Sequence, residues 1–264
     1  MLFFPQLISG VVAQYPLGRS RRFRTVLNDD GQHPSTRSQD AGAERTWWDL
    51  NFQGLTDAER QAVEDLALAA KGMLGTFTFL DPYDNLLRFS EDYLASVWQS
   101  DAGLTITPGV PDPYGTQRAA VLSNPTNLSR RFYQLLPVPC YFHYTFSVYM
   151  HSTMPTAPSI LMGPPSDPQS RECNTHAEWK RQEVHNAPST SEEPLLTAIE
   201  LAANTEIVIF GPQLETTLVP TDYKATSDQS GVHEYCRLGS DRLQWTTSGA
   251  DNHFIALSIV TTHQ

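Results

Sequence analysis

The sequence lacks the signatures of most catalytic and metal-dependent proteins. Its 264 residues contain only three cysteines and no C-x-x-C pair, so neither a disulfide scaffold nor a zinc site is predicted. The histidines form no H-E-x-x-H, no serine lies in a G-x-S-x-G elbow, and no glycine-rich phosphate loop is present. These absences predict a protein that is not an enzyme and that holds no cofactor or metal.

Charge and long apolar runs are also scarce. Charged residues make up 18 % of the chain and the formal net charge is −11, which argues against a nucleic-acid surface, because phosphate binding relies on clustered Lys and Arg. The single basic cluster, Arg19, Arg21, Arg22 and Arg24, favours a solvated or subunit-facing loop. No apolar run approaches the ~20 residues that cross a bilayer. We therefore expect a soluble protein without membrane insertion.

The sequence does contain the composition and the residue patterns that are typical of β-strands. It has 19 prolines and 15 glycines, a composition typical of many short strands joined by turns. Residues 141–150 alternate apolar and polar side chains, the period-two pattern of a strand. We predict a mainly β protein whose second part is a β-sandwich.

One segment, residues 56–71, predicts an α-helix. Thr56 is a natural N-cap with Glu59 three residues on, which is the spacing of a capping box. Apolar side chains then fall on one stripe, and Gly72 supplies a C-terminal stop. We expect one amphipathic helix that packs on strands.

Changes of pattern divide the chain into three parts: residues 1–85 with the helix, the strand-rich residues 86–224, and two closing strands within residues 225–264. Residues 28–31 have the turn chemistry that follows a strand. Asp81, Asp84 and Asn85 lie around Pro82, where the first part ends. Two carboxylates and an amide suit a cation or an acid–base pair, but they also cap turns, and the turn is the favoured interpretation.

Aromatic side chains are the remaining binding signal. Tyr114, Tyr149 and Trp179 would stack on sugar rings if they share an exposed face. Trp179, beside Lys180 and Arg181 in a polar segment, is the best single candidate. The alternative is that the tyrosines are interface or rim residues.

Several stretches resemble phage tail proteins. The segment WWDLNFQGLTDAERQAVEDLALAAKGMLGTFTFLDPYDNLL resembles the N-terminal domain of phage distal tail and minor tail proteins, with a W-x-L strand, a helix and a Phe-rich strand ending in DP. The segments NLLRFSEDYLASVW, VPDPYGTQRAAVL and IVIFGPQLETTLVPTDYKATS resemble carbohydrate-binding-like jelly-roll modules of tail and baseplate proteins. The closing segment YCRLGSDRLQWTTSGADNHFIALSIVTT resembles the end of such tail proteins.

This resemblance implies a structural virion protein of the tail tip or baseplate, made in the host cytoplasm. Residues 1–85 would form a β-barrel-like domain that assembles into a ring, commonly a hexamer, and residues 225–264 would return to it. Residues 86–224 would form a jelly-roll sandwich outside the ring.

The implied partners are other copies of the chain, the tail tube protein, hub or receptor-binding proteins, and a host glycan. No catalytic residues carry over from the family. Phe3, Phe4 and Leu7 are the predicted ring interface, because a ring subunit buries apolar surface and strand edges against its neighbours. The alternative functions are a glycan-binding module for attachment to the host surface and, least favoured, an enzyme that cuts polysaccharide.

Overall fold

The computed structural model describes residues 1–29, 35–40, 42–186 and 188–261, which contain eighteen strands and one helix. The mainly β class with a single helix is as predicted. In chain order the elements are β1 (Gly18–Arg22), β2 (Thr25–Asn28), β3 (Thr36–Gln39), β4 (Arg45–Leu55), α1 (Asp57–Ala70), β5 (Phe77–Leu80), β6 (Gln99–Ser100), β7 (Thr105–Val110), β8 (Ala119–Asn124), β9 (Arg130–Leu136), β10 (Thr145–His151), β11 (Ser159–Gly163), β12 (Gln169–Glu172), β13 (Lys180–His185), β14 (Leu195–Leu201), β15 (Thr205–Glu215), β16 (Val232–Leu238), β17 (Trp245–Gly249) and β18 (Asn252–Thr261).

The chain forms two compact units. Unit 1 comprises Met1–Leu80 and His233–Gln264, and unit 2 comprises Asp81–Val232. Unit 1 is therefore built from both ends of the chain, with unit 2 inserted between its two pieces.

Unit 1 is organised around one sheet in the order β1-β4-β18-β16-β5, with β17 paired to β18. Along β4, Trp48, Leu50 and Phe52 alternate into the core. The C-terminal strand β18 pairs antiparallel with β4, so that Ile259 lies opposite Trp48. Within the described residues this sheet is an open path from β1 to β5, and no barrel closes, which corrects the expected barrel. The reason is that the two end strands do not pair with each other.

Helix α1 begins and ends where local chemistry predicts. The Thr56 hydroxyl accepts the Glu59 N–H at 3.2 Å, and the Glu59 carboxylate accepts the Thr56 N–H at 2.9 Å, which completes a capping box. Val63 and Leu66 are buried on the inner stripe. Lys71, with a left-handed backbone (φ 53°), forms the C-terminal cap.

Phe4 and Leu7, two of the three residues predicted at a ring interface, lie in the core of unit 1, which corrects their predicted place, whereas the place of Phe3 stays a prediction. Phe4 and Leu7 are buried, and the Phe4 ring meets the Phe79 ring edge-on at 5.6 Å. Phe3 is half-buried, and its backbone bridges to Thr78. Phe4 and Leu7 thus complete a hydrophobic core.

The strands β2 and β3 form a separate hairpin, and each of their residues is exposed. Phe23, just before β2, and Leu27 within it are large apolar side chains that are 66 % and 55 % exposed. The turn predicted at residues 28–31 includes Asp30 and Gly31, which lie outside the described residues.

Unit 2 is a β-sandwich of jelly-roll type, as predicted, with two five-stranded antiparallel sheets. The front sheet has the order β13-β10-β15-β8-β7, and the back sheet has the order β12-β11-β14-β9-β6. Phe146, Val148 and Met150 of β10 are buried on the inner face of the front sheet. No helix in the described part of the chain is both long and apolar enough to cross a membrane.

The polar side chains at the start of unit 2 form hydrogen bonds with backbone groups. The Asp81 carboxylate accepts the Tyr83 N–H at 2.9 Å, which is an Asx turn. The Asn85 side chain accepts the N–H groups of Leu87 and Leu214, both at 3.0 Å, and donates to the Pro212 carbonyl at 2.9 Å. The buried Asp81 and Asn85 thus stabilise the turn at the start of unit 2 and join it to β15.

Candidate functional site

The outer face of the front sheet carries the aromatic residues that the sequence singled out. Strand alternation turns Ser147, Tyr149 and His151 away from the sandwich core, because Val148 and Met150 between them are buried. Tyr149 lies opposite Phe210 on one neighbouring strand and opposite Arg181 on the other. The strand pairing therefore brings residues from three distant parts of the chain to one surface.

Phe210 is the base of this aromatic cluster. It is fully buried, with the Tyr114 ring edge-on at 5.8 Å and the Tyr149 ring at 6.1 Å between centroids. Tyr114 is 60 % exposed, and a hydrogen bond with Tyr149 raises the pKa of its phenol. The Tyr223 ring meets Phe210 edge-on, with 5.0 Å between the ring centroids.

Trp179 supplies a second aromatic position on the same face. Its half-buried ring packs against the His151 imidazole at 4.3 Å, and burial lowers the pKa of His151. Because His151 lies two residues beyond Tyr149 on β10, the two positions are about 7 Å apart along the strand. The surface thus offers two separated aromatic positions, one with Tyr114 and Tyr149 and one with Trp179.

The loop of residues 111–118 holds Tyr114 in place. The Asp112 carboxylate accepts the N–H groups of Tyr114 at 2.8 Å and Thr116 at 3.2 Å, the Thr116 hydroxyl, and the Arg118 Nε–H at 3.0 Å. Burial alone would raise the pKa of Asp112, but these hydrogen bonds outweigh it and hold the pKa at about 2. Arg118 also binds Glu91 at 2.8 Å and lies over the Phe210 ring at 5.1 Å.

Arg181 lies beside Tyr149 in a fixed orientation. Its Nε and Nη2 donate to the Ser147 hydroxyl at 3.2 and 2.9 Å, and its Nη1 donates to the Thr221 carbonyl. The guanidinium carbon lies 5.4 Å from the centre of the Tyr149 ring. A cation held by three hydrogen bonds loses little conformational freedom when it binds a ligand.

The rest of the outer face is covered by the chain that follows β15. The buried Glu215 carboxylate accepts the Thr221 N–H at 3.0 Å and pairs with Lys224 at 3.3 Å. The Tyr223 hydroxyl lies 2.8 Å from the Ser90 hydroxyl, and burial raises the Tyr223 pKa. Tyr149 and Trp179, at the end of the sheet, remain partly exposed.

The three predicted binding residues, Tyr114, Tyr149 and Trp179, therefore lie on one partly exposed surface. Sequence reasoning missed Phe210 beneath them and the Asp112 carboxylate that positions Tyr114. The D-P-Y-G turn sequence around Asp112 is the signal that could have located the loop. An aromatic surface edged with hydrogen-bonding groups is suited to binding a flat, partly polar ligand.

No protein-family model matches this chain, and no curated protein matches it. Among solved structures, the enzymatically active domain of bacteriophage CBA120 tailspike protein 4 is 17 % identical with a TM-score of 0.41, and the match covers 52 % of this chain and 22 % of that one. TmCBM61 in complex with beta-1,4-galactotriose is 15 % identical with a TM-score of 0.36, covering 49 % and 97 %.

The CBM22-1 xylan-binding domain of Paenibacillus barcinonensis Xyn10C is 13 % identical with a TM-score of 0.41, covering 50 % of this chain and 94 % of that one. The chain thus spans about a fifth of the tailspike domain and nearly all of the two binding modules. Likeness of this degree assigns no ligand to the present protein.

Proposed function

We propose that unit 2 is a non-enzymatic glycan-binding module that attaches to a host surface through the outer face of the front sheet. The observation that carries this proposal is the placement of Tyr114, Tyr149 and Trp179 on one open surface. Aromatic rings pack on the apolar faces of sugars, and the hydrogen-bonding groups at their edges fix the orientation of the hydroxyls.

Glycan-array binding of the whole chain tests this function. Tyr149→Ala and Trp179→Ala should each weaken binding at least about tenfold, since each removes a ring worth ~1.5 kcal/mol or more of contact. Tyr141→Ala is the matched control, because Tyr141 is an exposed tyrosine that precedes the opposite end of β10. If all three variants bound as tightly as the wild type, or if the wild type bound no glycan, the proposal would be refuted.

We further propose that unit 1 assembles the protein into a six-membered ring at the distal end of a phage tail. There it would join the tail tube to hub or receptor-binding proteins, as a structural part of the virion. The sequence resemblance of residues 47–87 supports this role, and so does the exposed hairpin of β2 and β3. An isolated two-stranded hairpin is marginally stable in water, so a partner that covers it would stabilise it.

Light scattering after size-exclusion chromatography tests the ring. A double variant Phe23→Ser and Leu27→Ser should shift the protein toward monomer, because Leu27 is exposed on the hairpin and Phe23 is exposed just before it. Leu68→Ser is the control, since Leu68 is an equally exposed apolar residue on α1. A monomer at high concentration, together with labelled particles that lack the protein at the tail end, would disprove this role.

A further inference from the structure

Arg181 differs from the other cations around the aromatic surface because no carboxylate among the described residues pairs with it. Arg118 pairs with Glu91 and Asp112, and Lys224 pairs with Glu215. Within the described ranges, none of the ion pairs closer than 4.0 Å includes Arg181. Its three hydrogen bonds go to a hydroxyl and a carbonyl, which are neutral acceptors.

The guanidinium of Arg181 keeps donors for a ligand. A guanidinium has five N–H groups, and among the described residues Ser147 and Thr221 accept three of those of Arg181. Two N–H groups on a fixed planar cation match the two oxygens of a carboxylate or the oxygens of a phosphate.

The guanidinium of Arg181 lies beside the Tyr149 ring, on the side of Ser147. Arg181 lies directly opposite Tyr149 on the neighbouring strand and two residues from Trp179 along its own chain. Residues two apart on a strand share a face. A saccharide that contacts both rings and continues past Tyr149 toward Ser147 would therefore reach the guanidinium.

We propose that the glycan bound by this face carries an anionic group, a carboxylate or a phosphate, and that Arg181 binds it. The inference rests on the proposed glycan-binding function and specifies its ligand class. Two carboxylates lie near, Glu183 two residues along β13 and Asp222 next to Thr221, and both oppose an anion. Neither pairs with Arg181, so they lower the affinity without occupying the donors, and Glu183→Gln should tighten binding.

The test uses an array of bacterial-surface glycans that bear uronate, sialate, phosphate or no charge, followed by titration of the best acidic ligand. The same ligand is then titrated after its carboxyl groups are reduced to alcohols or its phosphate is removed. Wild-type protein should lose about tenfold in affinity, the effect of a charge-assisted hydrogen-bonded pair. Whichever treatment causes the loss identifies the anion as carboxylate or phosphate.

Two variants test whether Arg181 is the residue that binds the anionic group. Arg181→Gln should bind the intact acidic ligand about tenfold more weakly, and its affinities for intact and neutralised ligand should become nearly equal, whereas they differ about tenfold in the wild type. Lys180→Gln is the control, because it removes the same charge from the adjacent residue, whose side chain faces the other way. The thermal midpoint of each variant checks its folding. The comparison of intact with neutralised ligand uses the wild-type protein, so it does not depend on whether a variant folds.

Exclusive binding of neutral glycans, or equal binding of intact and neutralised ligand, would overturn the inference while leaving glycan binding in place. Absence of binding to every glycan, charged or neutral, would instead remove the proposed function itself. Loss of affinity in Lys180→Gln equal to that in Arg181→Gln would also contradict the specific role of Arg181.

Discussion

Replacing Asp112 by Asn should loosen the loop that holds Tyr114. The carboxylate accepts hydrogen bonds from two backbone N–H groups, a hydroxyl and Arg118, and its pKa is about 2 compared with an ordinary value of 3.8. This difference corresponds to about 2.4 kcal/mol that favours the folded state when Asp112 is ionised. Because the Arg118 side chain is 38 % exposed, solvent screening reduces the expected loss to about 1–2 kcal/mol.

The pH dependence distinguishes this charge effect from a packing effect. A carboxyl group whose pKa is lowered on folding stabilises the protein fully above the unfolded pKa. That stabilisation is lost as the pH falls from about 4 to about 2. Asp112→Asn should therefore lower the melting temperature of unit 2 by about 2–8 °C at pH 7, and by about half as much at pH 3.

Differential scanning calorimetry of wild type and Asp112→Asn at both pH values measures this loss. Asp167→Asn serves as the control, because Asp167 is exposed. A melting difference that is unchanged between pH 7 and pH 3, or absent at pH 7, would show that the ionised carboxylate does not stabilise the loop. Weaker glycan binding by Asp112→Asn at pH 7 would show in addition that the loop positions Tyr114.

Three further predictions concern single side chains. Thr56→Ala should destabilise unit 1 by about 1 kcal/mol in urea unfolding, since it removes the capping box, whereas Thr56→Ser should not; equal stability of the two variants would contradict this. Phe210→Ala should cost about 3–5 kcal/mol in unit 2 unfolding, because the buried ring supports Tyr114 and Tyr149; a loss below ~1 kcal/mol would mean that the cluster is not packed. Since burial raises the Tyr223 pKa, the 295 nm absorbance change at pH 11 should be the same in Tyr223→Phe as in wild type, and a smaller change would show that Tyr223 ionises.

Local signals predicted individual elements well. The capping residues Thr56 and Glu59 are three positions apart in the chain, so the start of α1 follows from short-range chemistry. The alternation in β10 depends only on neighbouring side chains and correctly separates its buried face from its outer face. Closure of the unit 1 sheet was predicted wrongly, because whether end strands meet depends on twist and register and not on any local pattern.

The N-terminal residues also show that a local sequence pattern does not determine long-range contacts. Phe4 and Leu7 are apolar in the sequence, and an apolar segment is equally consistent with an interface and with a core. The structure places Phe4 against rings from β4 and β5, at 6.2 Å from Phe52 and 5.6 Å from Phe79. Only those long-range contacts distinguish the two interpretations.

The sequence by itself determined the mainly β class, the single capped helix and the candidate aromatic residues, because composition and period-two or capping patterns are local properties of a chain. The tertiary structure alone decided that Tyr114, Tyr149 and Trp179 share one face, with Arg181 unpaired by any carboxylate in the described part of the chain. The physical reason is that strand pairing joins residues 30 to 60 or more positions apart, through registers such as Tyr149 with Arg181 and Phe210. A binding surface is a property of that pairing, which no local stretch of sequence encodes alone.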